Sequence, residues 1–439
     1  MLLKYSVSNF KSIGHNIEFS MFPLENTDDK YLSTIETIVG TWRVLKRGAF
    51  FGPNASGKTS FVQSLAYARD YIVKGPRNNT VTKVNQFRGN IEELNGATSF
   101  EFIIYIDGQV YDYGFSLDRA HIREEWLSIL SPNGFEELFH RTLFKNGKPK
   151  IKIFDRFASK KSIDRGLAIL LTNTIKEKQT DSLFLFKLYE NGINVGEKIY
   201  SWFEKIQIIY PDTQLQSLPL ILQTDEQFRD FLSKKLHLLD TGIDNVFISE
   251  NNIELSEFAD KYNVPNEIVH DIEETQNGLI NFNGKFFLFK ESRGRKIKLL
   301  QLKFDHSFNS PFDIDDESDG TKRLLDLLPI LFNLDNDSNT IYVIDELDRS
   351  LHTKLSKYFV EAFAKSSTNT QLLFTAHDTN LLDLEIFRKE EIWFVEKKLS
   401  GETKLRPLSN FPIKDNQDIL KGYLLGRFGA VPIIKEEKE

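Results

Sequence analysis

Apolar residues recur along this chain with two different periods, and the switches between them predict its parts. VLKRGAFFG, ending at Gly52, is rich in β-formers and reads as a strand. SFVQSLAYARDYIV follows and puts Phe61, Leu65, Ala68 and Ile72 on one helical face. SFEFIIYIDG, QVYDYGFSL and EEWLSIL then alternate as strands do, and Asp107-Gly108 between apolar runs predicts a hairpin. This first lobe is expected to span residues 1–155. The middle stretch, 156–312, starts with helical patterns in LAILLTNTIKEK, DSLFLFKLYENG and EQFRDFLSKKLHLLD. It returns to strand alternation in KFFLFKE and KIKLLQLKF. It reads as a mainly helical insertion, a lid or a docking domain for a partner. No heptad pattern persists there long enough for a coiled coil. The last lobe, 313–439, opens with a helix carrying Leu324, Leu325, Leu328 and Leu331. Two short, continuously apolar runs follow, Ile341–Ile344 and Gln371–Phe374, as expected of buried parallel strands. The pattern predicts an α/β fold with Phe50-Phe51, Ile341–Ile344 and Leu372–Phe374 as neighbouring parallel strands.

Composition narrows the picture in a few places only. The 439 residues allow two or three domains, and the 40% hydrophobic content can build sizeable cores. A net charge of −7 argues against a general polyanion binder. The basic runs NGKPKIK, SKKS and SRGRKIK read as solvated faces, and the tail KEEKE as frayed. The absence of cysteine excludes disulfides and cysteine metal sites and fits a cytoplasmic location. The start, MLLKYSVSNFKSIG, lacks the apolar core of a signal peptide, and no run of about 18 apolar residues predicts a membrane span.

The chemistry is concentrated at four points. Gly52, Gly57, Lys58 and Thr59 match G-x-x-x-x-G-K-[ST] between the predicted strand and helix. Glycines there let backbone N–H groups turn onto phosphate oxygens, the lysine reaches the β- and γ-phosphates, and the threonine hydroxyl ligates magnesium. Asp345 and Glu346 follow the apolar run Ile341–Ile344, at the strand end where open α/β sheets carry their chemistry. Asp345 can hold magnesium through water, and Glu346 is placed to activate an attacking water. Ser318, Asp319, Gly320 and Thr321 open the leucine-rich helix. They read either as a second anion-binding edge or as a simple cap by Ser318 or Asp319. His377 stands just past the strand Gln371–Phe374, where it can sense a γ-phosphate.

The order of these pieces resembles the heads of ABC-type ATPases in the SMC, RecF and OLD-like branch. YSVSNFKSIG resembles the opening strand and turn of that branch. IDELDRSLH, FTAHDTNLLD, IWFVEK and YLLGRFGAVPII resemble bacterial AAA-labelled ATPases of abortive-infection type, the AbiL-like proteins of anti-phage defence loci. The likeness covers both ends, about half of the chain. It implies an ABC/SMC-type P-loop ATPase head that binds ATP and Mg2+ and hydrolyses ATP slowly. By the resemblance, Gly52, Asn54, Ser56, Gly57, Lys58, Thr59 and Ser60 form the Walker A loop, and Asp345 and Glu346 the Walker B pair. Ser318 and Gly320 match the signature loop, Asp348 the dimer-interface aspartate and His377 the switch histidine. Gln86 matches the Q-loop residue, a further ligand to nucleotide and metal, with Asn85 and Gln63 as alternatives. ESDGT departs from the common signature form, lacking its leading leucine and second glycine.

The resemblance further implies a homodimer closed on ATP and a separate effector protein, a nuclease or toxin, with nucleic acid left open as a partner and no membrane. About sixty residues follow His377, too few for the appended nuclease domain of OLD-type proteins. The alternative is a RecF- or SMC-like DNA-repair or chromosome ATPase, which salt-dependent duplex binding would reveal. A transporter motor fits poorly, because its phosphate loop and acidic strand are separated by a short gap.

Overall fold

In the computed structural model, the described residues are 1–24, 31–75, 82–89, 96–145, 147–158, 162–178, 182–212, 218–274, 277–282, 285–292, 296–307, 310–334, 339–413 and 418–431. The run SKKS in large part, Arg293–Arg295 of SRGRKIK and the tail KEEKE lie outside them. The chain divides into two compact units. One comprises residues 1–211, 337–348 and 360–439, and the other 212–336 and 349–359.

The first unit contains two large sheets. The seven-stranded sheet is antiparallel, in the order Pro149–Ile153, Gly134–Leu143, Ile122–Ser131, Gln109–Leu117, Thr98–Ile106, Leu2–Ser8, Ile17–Ser20. The expected hairpin is there: Asp107 and Gly108 both adopt positive φ, 47° and 81°, the backbone of a type I′ turn. The six-stranded sheet runs Ile206–Ile209, Ile341–Ile344, Gln371–Ala376, Arg47–Phe51, Ile392–Lys397, Thr403–Pro407. Its first five strands are parallel and the last is antiparallel. The three apolar runs singled out in the sequence are therefore neighbours, with Gln371–Ala376 between the other two. The helix Lys58–Lys74 packs Phe61, Leu65, Ala68 and Ile72 into the core, the face its periodicity predicts.

Strand Arg47–Phe51 is buried throughout, its arginine included. A guanidinium in a core needs a counter-charge and acceptors for most of its donors. Nε and Nη2 of Arg47 donate to the two carboxylate oxygens of Glu391 at 3.1 and 2.8 Å, and Nη2 also donates to the Ile386 carbonyl at 2.8 Å. The group lies over the rings of Tyr31 and Phe387, 5.3 and 5.0 Å from their centroids. Glu391 also accepts the Arg388 N–H at 2.9 Å. Sequence reading treated this stretch as a plain β-forming run and missed the pair.

The second unit combines helices with a sheet. Leu218–Thr224, Glu226–Leu238 and Asp319–Asn333 bury Leu222, Phe228, Leu232, Leu236, Leu324, Leu325 and Leu328 with Val246 and Phe304 of the sheet. The sheet order is Ile243–Glu254, Lys296–His306, Lys285–Ser292, Asn277–Phe282, with Phe312–Asp313 added beside Lys296–His306. The strands expected in KFFLFKE and KIKLLQLKF are present. Ile243–Glu254 was not expected, because IDNVFISENNIE is too polar to stand out. The stretch read as a mainly helical insertion thus carries a sheet besides its helices. Its boundary also differs: helices Ile163–Lys178, Phe184–Glu190 and Asn194–Glu204 belong to the first unit, and the division falls at Pro211 and Asp212 rather than at 155 and 156. Glu125 explains part of this, since its buried carboxylate accepts the N–H groups of Phe184 and Leu185 at the start of Phe184–Glu190, joining that helix to the antiparallel sheet. No helix among the described residues is long and apolar enough to cross a membrane.

The buried ion pair gives a stability prediction. Glu391→Ala leaves the Arg47 charge without its counter-ion and is expected to cost about 3–5 kcal/mol, read as a lowered urea midpoint. Arg47→Met combined with Glu391→Leu is expected to recover most of that loss. A midpoint unchanged in Glu391→Ala would show that the pair does not hold this strand.

Candidate functional site

The strand Arg47–Phe51 delivers the chain to the C-terminal edge of the parallel sheet, where a tight loop turns it into the helix starting at Lys58. Backbone geometry explains the glycines. Gly57 has φ 113°, and a Cβ on it would come within 1.9 Å of Thr403 Oγ1. A Cβ on Gly52 would lie 2.1 Å from the Val395 carbonyl oxygen. The loop is braced from behind by Thr403, whose Oγ1 donates to the Ser56 carbonyl at 2.9 Å and contacts Ser12 Oγ at 2.8 Å. The Thr403 N–H donates to the Ser12 carbonyl at 2.7 Å. Asn54 and Thr59 are exposed, Ser60 is half-buried, and Ser56 is buried with an Oγ that has no hydrogen-bond partner among the described residues. Lys58 is buried and points its ammonium into the loop, donating to the carbonyls of Gly52 and Pro53 at 2.7 and 3.1 Å.

The acidic residues reach the same edge from the neighbouring strands. Parallel register pairs Ile344 with Phe374 and Ala376 with Phe51, so Asp345, His377 and Gly52 follow strand ends that lie side by side. Asp345 is buried, and Thr375 Oγ1 donates to its Oδ1 at 2.7 Å. The same hydroxyl accepts the Glu346 N–H at 2.8 Å, while the Thr375 carbonyl accepts the Leu347 N–H at 3.0 Å. Glu346 adopts φ 50°, a turn that bends the chain sharply after the strand. Oδ2 of Asp348 accepts the N–H groups of His377, at 2.9 Å, and Asp378; its Oδ1 is buried without a hydrogen-bond partner among the described residues. The His377 ring bridges the site: Nδ1 lies 3.5 Å from Lys58 Nζ, and Nε2 lies 3.7 Å from Glu346 Oε1. Burial pulls the Lys58 ammonium down to about 8 from its usual 10.5, against the upward pull of Asp345, Glu346 and Asp348. The Lys58 ammonium thus combines burial, acidic neighbours and two backbone carbonyl acceptors.

Gly52, Ser56, Gly57, Lys58, Thr59, Asp345, Glu346, Asp348 and His377 all belong to the first unit. Ser318 and Gly320 belong to the second. Ser318 is the N-cap of Asp319–Asn333, its Oγ accepting the Thr321 N–H at 3.0 Å, so of the two capping candidates it is Ser318 that caps. Gly320 is held close to its surroundings, since a Cβ there would meet the Ser350 carbonyl oxygen at 2.8 Å. Gln86 donates its side-chain N–H to the Gly96 carbonyl. Of its alternatives, Gln63 accepts from Lys11 Nζ at 2.6 Å through its side chain, whereas Asn85 accepts the Lys11 N–H at 2.7 Å through its main-chain carbonyl. Three residues of this neighbourhood escaped sequence reading. Thr375 had a signal, as the hydroxyl within the apolar run QLLFTA. Thr403 and Ser12 had none, because they meet the loop only through folding.

The residues from 49 to 383 match the family described as "AAA domain, putative AbiEii toxin, Type IV TA system". The chain belongs to this family of AAA domains, as the resemblance to AAA-labelled ATPases of abortive-infection type implied. Among curated proteins, none matches this sequence. Similar solved structures include an SMC head domain from Thermotoga maritima, 13% identical with a TM-score of 0.39, the alignment covering 92% of this chain and 98% of that one. Another is an SMC head bound to the C-winged helix domain of ScpA, also 13% identical, with a TM-score of 0.38 and coverage of 92% and 96%.

The Thr375 hydroxyl generates a prediction that does not depend on ligand. Thr375→Val keeps the shape but removes the donor to Asp345 and the acceptor for the Glu346 N–H. It is expected to cost about 1–3 kcal/mol in denaturant unfolding, whereas Thr375→Ser should recover most of it. Equal stability of the valine and wild-type proteins would remove Thr375 from the account.

Proposed function

We propose that this protein is an ATP-binding and ATP-hydrolysing switch, whose heads pair on ATP and whose cycle regulates a separate effector, a nuclease or toxin, in anti-phage defence. The observation that carries the reading is the His377 bridge, 3.5 Å from Lys58 and 3.7 Å from Glu346, which joins motifs some three hundred residues apart at one sheet edge. Family membership supports nucleotide hydrolysis as the general activity.

The residues fit a magnesium nucleotide. The loop leaves no room for a Cβ at Gly52 or Gly57, which suits a backbone that must approach phosphate closely. Ser56 Oγ and Asp348 Oδ1 are buried without hydrogen-bond partners among the described residues, as groups awaiting a polar ligand are. Thr59 and Asp345, with Gln86, offer the hard oxygen donors that magnesium prefers and would hold it. When bound, the ion would neutralise charge on the β- and γ-phosphates. Lys58 would bind the same phosphates, with Asn54 and Ser60 completing the cradle. Glu346 would orient and deprotonate the attacking water, and His377 would register the γ-phosphate. Ser318 and Gly320 would contact nucleotide held by a second copy, with Asp348 at the interface. One phosphate loop and one Ser-x-Gly loop per chain then call for a two-fold homodimer, since an identical partner supplies both halves reciprocally.

Lys58→Ala is expected to lose ATP binding. Glu346→Gln should bind ATP with near wild-type affinity, hydrolyse it about 10²–10⁴-fold more slowly, and give the most persistent dimer. Calorimetry, phosphate release and sedimentation read these three properties, and wild-type turnover in Glu346→Gln would remove Glu346 as the base. A second experiment addresses sharing of the site. Lys58→Ala and Ser318→Arg proteins, each inactive alone, should regain activity when mixed, because a mixed dimer carries one intact composite site. Exchange of subunits without recovery would instead indicate a self-contained ATPase.

A further inference from the structure

The second unit holds a buried histidine–carboxylate pair that the candidate site does not use. His306 ends the strand Lys296–His306, and both it and Glu317 are buried. Nε2 of His306 lies 2.7 Å from Glu317 Oε1, and Nδ1 lies 2.9 Å from the Gly242 carbonyl oxygen. A carbonyl only accepts hydrogen bonds, so Nδ1 must carry a proton. The contact between Nε2 and the carboxyl oxygen then needs a proton of its own, on one side or the other. The imidazole is thus bonded at both nitrogens, each time to a different segment of chain.

Where those segments lie gives the pair its meaning. Gly242 precedes Ile243–Glu254, the strand that pairs with Lys296–His306 along nearly its whole length. Glu317 immediately precedes Ser318, the cap of Asp319–Asn333. Between His306 and Glu317 the chain folds back as Phe312–Asp313 against Phe304 and Lys303, then forms a short 3-10 turn closed by a capping box between Asp313 and Asp316. The Phe312 ring packs 4.6 Å from the His306 ring, and Lys303 pairs with Asp313 at 2.8 Å. On the far side of Gly242, Asp244 is engaged by Ser307 at 2.6 Å and by His237 at 3.3 Å. The loop Ser318–Gly320 is therefore tethered, one residue away, to the end of a long two-stranded part of the sheet.

We propose that His306 and Glu317 are positioning residues: through their proton-bearing hydrogen bond they anchor Ser318–Gly320, the start of helix Asp319–Asn333, to the sheet and so hold these residues in place for the nucleotide. This inference deepens the proposed function and rests on its assignment of Ser318 and Gly320 to the nucleotide of a second copy. The chemistry distinguishes geometry from charge. In Glu317→Gln the side-chain amide can donate to Nε2 of a neutral imidazole while Nδ1–H still reaches Gly242, so the anchor survives. In Glu317→Ala it is lost. Lys58 and its loop, in the other unit, are untouched in both.

Two readouts on the full chain test this. Hydrogen exchange without nucleotide should quicken for the amides of Thr321–Leu324 in Glu317→Ala but not in Glu317→Gln, with the helix Lys58–Lys74 unchanged as the check on folding. With ATP, Glu317→Ala should keep wild-type nucleotide affinity yet lose about threefold to thirtyfold in turnover and self-association, and Glu317→Gln should restore both. Unchanged exchange in Glu317→Ala overturns the anchor. Faster exchange with wild-type turnover overturns the positioning role. If the wild-type protein neither binds nor hydrolyses ATP, the reading of the site fails, and the exchange result still decides whether the anchor exists.

Discussion

Main-chain pairing between Arg47–Phe51 and Gln371–Ala376 is the constraint on which the site depends. Phe374 lies opposite Ala49 and Ala376 opposite Phe51, and Ile344 lies opposite Phe374 on the next strand. Parallel register thus brings the phosphate-loop motif, the Asp-Glu pair and the histidine to one edge. A slip by one residue would turn Thr375 to the other face of the sheet and take its hydroxyl from Asp345 and Glu346. The buried Arg47–Glu391 pair lies at the other end of strand Arg47–Phe51 and favours the same alignment, since a guanidinium without its counter-ion in this core costs about 3–5 kcal/mol.

Rigidity at the edge has a second source in close approach. Gly52 and Gly57 are pressed against Val395 and Thr403, from the strands Ile392–Lys397 and Thr403–Pro407. The last two strands of the sheet therefore form the back wall of the loop. Lys58 is held between this wall and the carboxylates, and its lowered proton affinity is the electrostatic record of that confinement. The close contacts of Gly52 and Gly57 and the hydrogen bonds of Lys58 thus fix the loop from the protein side alone.

The second unit follows a different logic. Its helix Asp319–Asn333 is amphipathic, buries leucines in its own core, and begins at a capping serine one residue beyond a buried anchor. Its sheet supplies the far end of that anchor. Helical and strand patterns are both visible in this part of the sequence, yet their mutual pairing is set by contacts between residues far apart in the chain, such as His306 with Gly242.

What the sequence by itself determined was local. Helical periodicity marked the buried face of Lys58–Lys74, the apolar runs marked three buried strands, and Asp107-Gly108 marked a turn whose positive φ values few other residues tolerate. Lys58, Thr59, Asp345 and Glu346 were legible because their spacing from glycines and strand ends is written in consecutive residues. Tertiary structure alone decided the rest. The strand Ile243–Glu254 lacked an apolar signature because much of it is exposed. Helices of residues 163–204 joined the first unit because Glu125, on a distant strand, caps one of them. Thr403, Ser12 and Glu391 gained their importance only when folding placed them against the phosphate loop or the central strand. Hydrogen bonds and close packing between residues hundreds of positions apart leave no periodic trace in a sequence, because their geometry exists only once the sheet has formed.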